Sequence, residues 1–463
     1  MQSFSNRTFD EIQVGESLRV SHRLSPMEVE ALALVSGDVD PFHLDEAAAD
    51  GDRMRAPSVA SEALLSAILC RQLPGPGTTI LQQNLHFQGA MSASDELVAT
   101  VTAREKREQE HVIVFDCTVR AADRELANGS VTVAAPTSHL SYTELITPQV
   151  VIRRNDAFAL LLRKCEGLPP VVCAVVHPCD RDSLRGPVEA AERGLIVPVL
   201  VGPEAKIRAV AEAEQIDLHP YEIVSVEHSH AAAAKAVAMA RAGEVEALMK
   251  GSLHTDELLS AVVPSATGLR TGRRISHAFL LDVPSYPRSL IITDAAINIA
   301  PTLEDKADIL QNAIDLARML EIETPRVAIL AAVETVNSKM QATLDAAALC
   351  KMAERGQITG GIVDGPLAFD NAISEQAAAT KKISSPVAGR ADILLVPDLE
   401  AGNMLTKQLQ YLAGADAAGI VLGTRAPIVL TSRADSVRVR IASTAVLKLV
   451  AHARRSDLGA VQA

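Results

Sequence analysis

From about residue 151 onward, short unbroken apolar runs alternate with amphipathic stretches. The runs at 171–176, 196–201, 247–249, 290–292, 393–396 and 428–430 lack polar/apolar alternation, the pattern of strands buried on both faces. Each run stops at small and polar residues, and a helical pattern follows, as at 183–193 with Pro187 in its first turn. Strand and helix alternating at this spacing predict a parallel sheet with helices on both faces. The loops leaving such strands gather at the carboxyl edge, where open α/β sheets bind ligands.

Residues 1–137 follow a different pattern. After a short lead at 8–21, a helical stretch runs from Ser25, the expected N-cap, to Ser36, with Pro26 in its first turn. Residues 61–73 are apolar nearly all round and predict a buried helix. Strand-like runs follow at 79–87, 96–105, 111–121 and 125–135. One buried helix against several antiparallel strands predicts an α+β domain. The two patterns divide the chain into domains at 1–137 and 151–463, joined by a linker at 138–150 that contains Pro148 and is no flexible Gly/Ser tether.

Composition narrows the class. With 463 residues, 48% hydrophobic and 22% charged, the chain reads as a soluble globular enzyme of two or three domains. Its net charge of −13, without a block of five or six like charges, argues against nucleic-acid or anionic-membrane partners. No run approaches the length of a membrane span, and the first residues lack the apolar core of a signal peptide. The six cysteines form no CxxC pair and read as small buried hydrophobes in a reducing compartment, so a cytoplasmic setting is expected. Cys173, His177, Cys179 and Asp180 make only a weak metal case, and His228-Ser-His230 reads as a helix cap.

Two stretches carry candidate chemistry. In Thr431-Ser432-Arg433, two hydroxyls and a guanidinium at a strand end, before a helix, suit a phosphate group. The same residues also suit plain capping, with Arg433 paired to Asp435. Lys250, at the end of another strand, either neutralises phosphate or merely terminates the strand. In Ser36-Gly37-Asp38-Val39-Asp40-Pro41-Phe42-His43-Leu44-Asp45, Asp38 and His43 converge across a Pro-containing turn, and carboxylate plus imidazole is what water activation needs. Asp38 as a turn residue with His43 at a helix start is a second reading, and metal ligation by Asp38, His43 and Asp45 a third.

Dense motifs extend both stretches. Asp364-Gly365-Pro366, Asp398-Leu-Glu-Ala-Gly402-Asn403 and Leu430-Thr-Ser-Arg433-Ala-Asp-Ser436 resemble the phosphate acetyl/butyryltransferase family, over about residues 146–458 and closer to the butyryl type. The resemblance implies acyl transfer between coenzyme A and inorganic phosphate, both of them substrates, with no tightly bound cofactor. It also implies an isocitrate/isopropylmalate dehydrogenase-like α/β/α fold with subdomains at 151–289 plus 426–463 and at 290–425. It gives Arg433 the phosphoryl oxygens and Ser432 the developing oxyanion, with Thr431, Ser276, Asn403, Lys407 and Asp435 as candidate substrate-binding residues. The general base of acetyl-type members follows the Ser-Arg pair by several residues. Here that region reads Val437-Arg438-Val439-Arg440, and Asp435 is the nearest acid.

Ser36-Gly-Asp38-x-x-Pro41-x-His43-x-Asp45, with the loop Pro74-Gly-Pro-Gly77, resembles the MaoC-like (R)-specific enoyl-CoA hydratases over about residues 9–136. That resemblance implies a hot-dog fold and gives Asp38 and His43 the addition of water to a trans-2-enoyl-CoA. The family's His-Gly at the start of the central helix is Ala60-Ser61 here, leaving the Ser61 N–H as the expected donor to the thioester oxygen. Both resemblances imply a homo-oligomer.

Overall fold

The strand-like run expected at 96–105 becomes a strand, Glu96–Arg107, that buries every second side chain from Leu97 to Ala103, and around it the N-terminal sheet is built. A computed structural model of the chain describes residues 3–40, 43, 55–89, 91–93, 95–143, 157–431 and 435–462. The chain forms two compact units, Met1–Ile152 and Arg153–Ala463.

In the first unit, β1 (Ser17–Arg23), β2 (Thr79–Phe87), β3 (Glu96–Arg107), β4 (Val112–Ala121) and β5 (Arg124–Ala134) make an antiparallel sheet in the order β1-β3-β4-β5-β2. Helix α1 (Pro26–Ser36) begins where expected: Ser25 Oγ accepts the Glu28 N–H, and the Glu28 carboxylate accepts the Ser25 N–H. Helix α2 (Val59–Arg71) buries Leu65, Ile68 and Leu69 against Leu97, Ala99, Val101, Phe115 and Val131 of the sheet. Within the expected linker, Ser141–Thr143 pair antiparallel with Ser3–Ser5.

The second unit carries β6 (Val171–Val176), β7 (Ile196–Gly202), β8 (Glu222–Ser225), β9 (Ala247–Lys250), β10 (Ser276–Asp282), β11 (Leu290–Thr293), β12 (Arg326–Leu330), β13 (Ile362–Leu367), β14 (Ile393–Leu395), β15 (Asp416–Leu422) and β16 (Ile428–Val429). Its helices include α3 (Ala157–Lys164), α4 (Arg181–Glu192), α5 (Glu204–Ala213), α6 (Ser229–Ala242), α7 (Thr255–Val262), α8 (Leu303–Met319), α9 (Gln341–Glu354), α10 (Leu399–Tyr411) and α11 (Val437–Gln462). Among the described residues one sheet holds all these strands, in the order β8-β7-β6-β9-β16-β15-β10-β11-β14-β12-β13. The ranges expected for two subdomains therefore lie on one continuous sheet.

The expected parallel pairing holds within each half and fails in the middle. Strands β8, β7, β6, β9 and β16 are mutually parallel, as are β11, β14, β12 and β13, whereas β16/β15, β15/β10 and β10/β11 are antiparallel. Loop length is the reason. The connections from β10 to β11 and from β15 to β16 are far shorter than the dozen or more residues of a parallel crossover, so each must reverse the chain. The carboxyl ends of β16 and β11 consequently point to opposite edges of the sheet.

Candidate active site

Strands β6, β9 and β16 are neighbours, and their carboxyl ends deliver Val176, Lys250 and Val429 to one edge. From β6 the chain steps outward to β7 and β8, then returns to β9 on the other side of β6. Loops leaving β6 and β9 thus turn in opposite directions, and such a switch of strand order is where open α/β sheets place a ligand crevice.

One serine joins the two loops. Ser252 Oγ donates to the His177 carbonyl at 2.8 Å, accepts the Cys179 N–H at 3.4 Å, and lies 2.9 Å from His177 Nδ1. The approach depends on Gly251, where an added Cβ would lie 2.4 Å from the Val176 carbonyl. His177 itself has φ of +58°, a left-handed conformation that few non-glycine residues adopt. Burial, reinforced by the Lys206 ammonium, holds its imidazole below the ordinary histidine pKa, against the opposing pull of Glu257 and Asp180. Burial likewise pushes the Cys179 thiol up to about 11. Asp180 caps α4, accepting the Ser183 N–H at 2.9 Å.

The third loop leaves β16. Thr431 is buried, and its Oγ1 accepts a 2.8 Å hydrogen bond from Arg440 Nη1 on α11. Arg440 lies over Gly186 of α4, where a Cβ would come within 2.8 Å of the Arg440 Cδ. Burial lowers the guanidinium pKa, and the carboxylates of Asp180, Asp435 and Asp182 oppose that shift. The edge therefore combines a cation held in place with hydroxyls, an imidazole and a helix N-terminus, the equipment for an anionic ligand.

Of the residues expected at this site, Thr431 and Asp435 are at this edge, and Ser432 and Arg433 lie outside the described residues. Ser276 is fully buried at the start of β10, where its Oγ accepts from Asn312 Nδ2 at 3.0 Å. Asn403 Nδ2 donates to the Ala295 carbonyl at 3.2 Å beside the carboxyl end of β11, and Lys407 is exposed one turn further along α10. Those two stand at the opposite edge from Thr431, because β15 and β10 reverse the sheet between them. Around Asp294 the chain is tied inward: its carboxylate accepts the N–H groups of Ala296, Ile297 and Asn298, and Asn298 Oδ1 accepts from Arg274 Nε at 2.7 Å. A cavity of about 210 Å³, lined by Phe158, Leu161, Leu280, Ile322, Ala417 and Val439 among others, contains none of the expected site residues.

Sequence reasoning singled out neither Ser252 nor Arg440, and it read His177 only as part of a weak metal set. The strand-end position of His177-Pro178 and Gly251-Ser252 was the available signal; their meeting depends on strand order, which no local pattern carries. The N-capping expected of His228 is present, its Nδ1 accepting the Ala231 N–H.

In the N-terminal unit, Gly37 ends α1 with φ of +76° and turns the chain toward Asp38. Asp38 Oδ2 lies 3.4 Å from His43 Nε2, and His43 Nδ1 faces the Arg55 carbonyl. The two side chains therefore converge, with Asp38 half exposed and His43 largely buried. Asp45, the third member of the metal reading, lies outside the described residues. The Ser61 N–H donates to the Ser58 carbonyl at 3.1 Å as the first turn of α2 closes, and its buried Oγ donates to Met91 Sδ at 3.3 Å.

Residues 227–448 match the family described as Phosphate acetyl/butaryl transferase. Over 287 residues the chain is 66% identical to a phosphate acetyltransferase of Rhizobium meliloti, covering 62% of this chain and 91% of that protein. It is 42% identical over 294 residues to a phosphate butyryltransferase of Clostridium beijerinckii, covering 64% of this chain and 97% of that one. Overall identity is thus higher to the acetyl-named relative than to the butyryl-named one, whereas the motif runs lead one to expect a chain closer to the butyryl type. The crystal structure of a branched-chain phosphotransacylase from Enterococcus faecalis V583 superposes with a TM-score of 0.53 at 28% identity, covering 60% of this chain and 99% of that chain.

Proposed function

The chain belongs to the phosphate acetyl/butyryltransferase family, and on that premise we propose that its second unit moves an acyl group between coenzyme A and inorganic phosphate. Coenzyme A thioesters and phosphate are the substrates, and no tightly bound cofactor takes part. The observation that carries the reading is the edge where the β6, β9 and β16 loops meet, with Arg440 fixing Thr431 immediately before Ser432 and Arg433. In this reading Arg433 grips the phosphoryl oxygens in a bidentate fashion, and Ser432 donates to the oxyanion of the tetrahedral intermediate. The assay is phosphate-dependent release of free thiol from acetyl-, butyryl- and 3-hydroxybutyryl-CoA. Activity that disappears in Arg433→Ala supports the reading, and full activity in that variant removes it. The ranking of the three thioesters sets the acyl preference.

For the first unit the reading is a hot-dog domain of (R)-specific enoyl-CoA hydratase type. A central helix, α2, lies on a five-stranded antiparallel sheet, and Asp38 stands 3.4 Å from His43, the spacing of a pair that shares one water. Ser61 supports a second reading, a unit that binds acyl-CoA or assembles the enzyme without hydrating, because its N–H is already committed to Ser58. Hydration of crotonyl-CoA by the intact protein separates the two. The proposal extends to a cytoplasmic homo-oligomer with the domain ranges 1–137 and 151–463.

A further inference from the structure

Thioester formation from an acyl phosphate begins with a thiol that must lose its proton. An unperturbed thiol ionises near pH 8.5, so at neutral pH a few per cent is thiolate and a nearby base accelerates the step. The residues that follow Ser432-Arg433 at the start of α11 are Val437-Arg438-Val439-Arg440, none of which is a base at neutral pH.

The hydroxyl of Ser252 has one hydrogen, and that hydrogen is given to the His177 carbonyl at 2.8 Å. Its contact with His177 Nδ1, at 2.9 Å, can then be a hydrogen bond only if Nδ1 carries a proton and donates it. In a neutral ring that places the lone pair on Nε2. The imidazole sits at the carboxyl end of β6, partly buried, on a backbone held at φ of +58° by the loop pairing of Gly251 with Val176 and of Ser252 with His177. Strained backbone of this kind persists where the surroundings over-determine it, and functional sites are where it collects. The charged groups facing the ring are Lys206 on α5, Glu257 on α7 and Asp180 on its own loop; burial and Lys206 prevail and keep the ring neutral.

We infer that His177 Nε2 is the proton acceptor for the coenzyme A thiol. The S–H bond breaks, the proton goes to Nε2, and the sulfur pair forms the C–S bond at the acyl phosphate carbonyl. Collapse of the tetrahedral intermediate breaks the C–O bond, phosphate leaves with that electron pair, and Nε2 returns its proton to a phosphate oxygen. Ser252 is a positioning residue that sets the tautomer. The assignment rests on the proposed acyltransferase reading.

The test is a pH–rate profile for thioester formation from acetyl phosphate and coenzyme A, in wild type and His177→Gln. The wild type is expected to show an acid limb below pH 6.5 and a plateau above it. In the Gln variant the rate at pH 7 should fall by about 10²–10⁴-fold. Its acid limb should give way to a rate rising about tenfold per pH unit toward the thiol pKa, with KM for both substrates little changed. A variant that keeps the wild-type limb, or loses less than about tenfold in rate, overturns the assignment while leaving the acyltransferase reading intact. If His177→Gln does not fold, Ser252→Ala serves: a displaced acid limb supports the role, and a profile that overlays the wild type overturns it. A wild type without transfer from any acyl phosphate removes the functional reading and this inference with it.

Discussion

Arg440 Nη1 donates to Thr431 Oγ1 at 2.8 Å, and the two side chains are 3% and 2% exposed. The bond ties the start of α11 to the carboxyl end of β16. Thr431→Val keeps the side-chain shape and removes the acceptor, so a buried guanidinium loses one of its bonds. Urea unfolding should show a loss of about 1.5–3 kcal/mol, the range for a hydrogen bond to a charged group. An unchanged midpoint would mean that the bond adds nothing to stability.

Gly186 makes room for that guanidinium. In Gly186→Ala the new Cβ meets Arg440 Cδ at 2.8 Å, so the arginine stem must move. The expected cost is about 1–3 kcal/mol, the usual penalty of overpacking. Because the clash is with Arg440, the double variant Gly186→Ala/Arg440→Ala should be more stable than the sum of the single effects allows. Strict additivity in the double-mutant cycle would show that Gly186 serves some other neighbour.

Stability should fall as the pH drops below about 6.5. Burial is the largest cause lowering the pKa of both His177 and His277; Lys206 adds to it at His177, while Asp294 and the Leu430 carbonyl oppose it at His277. A depressed folded-state pKa means that the unfolded chain binds more protons in this range. The stabilisation is therefore complete above the unfolded pKa and is lost as pH falls through the folded one. Urea midpoints at pH 7.5, 6.5 and 5.5 should decline in that order, and His177→Gln should shallow the slope. A flat series would contradict the sign.

Asp38→Asn and His43→Ala should each reduce any crotonyl-CoA hydration by about 10²–10⁴-fold and leave phosphate-dependent thiol release unchanged. If either variant lowers both activities equally, the two units do not act as independent catalysts.

Much of this was legible in the residues. The unbroken apolar runs became strands because a sheet covered on both faces has no polar side to declare, and Ser25 with Pro26 announced the start of α1. The Asp38–His43 pair was legible because a short turn alone brings the two together. Direction was not: β15 and β10 carry the same apolar texture as their parallel neighbours, and only the brevity of the connections around them reverses the chain. Ser276 is a candidate through the resemblance alone, and no motif announces that Asn312, on another element, donates to its buried hydroxyl oxygen. His177 and Ser252 lie far apart in the sequence, and their meeting is a property of strand order.

The place of β16 has a consequence for how the protein emerges from the ribosome. This short strand seals β9 to β15, yet it is made only after the whole far half of the sheet has been synthesised. Until then β9 presents a bare hydrophobic edge, the kind of surface that invites pairing with another chain. The Thr431 loop thus comes into being with the last closure of the sheet, so a nascent chain cannot assemble the edge shared by β6, β9 and β16 before β16 itself has been translated.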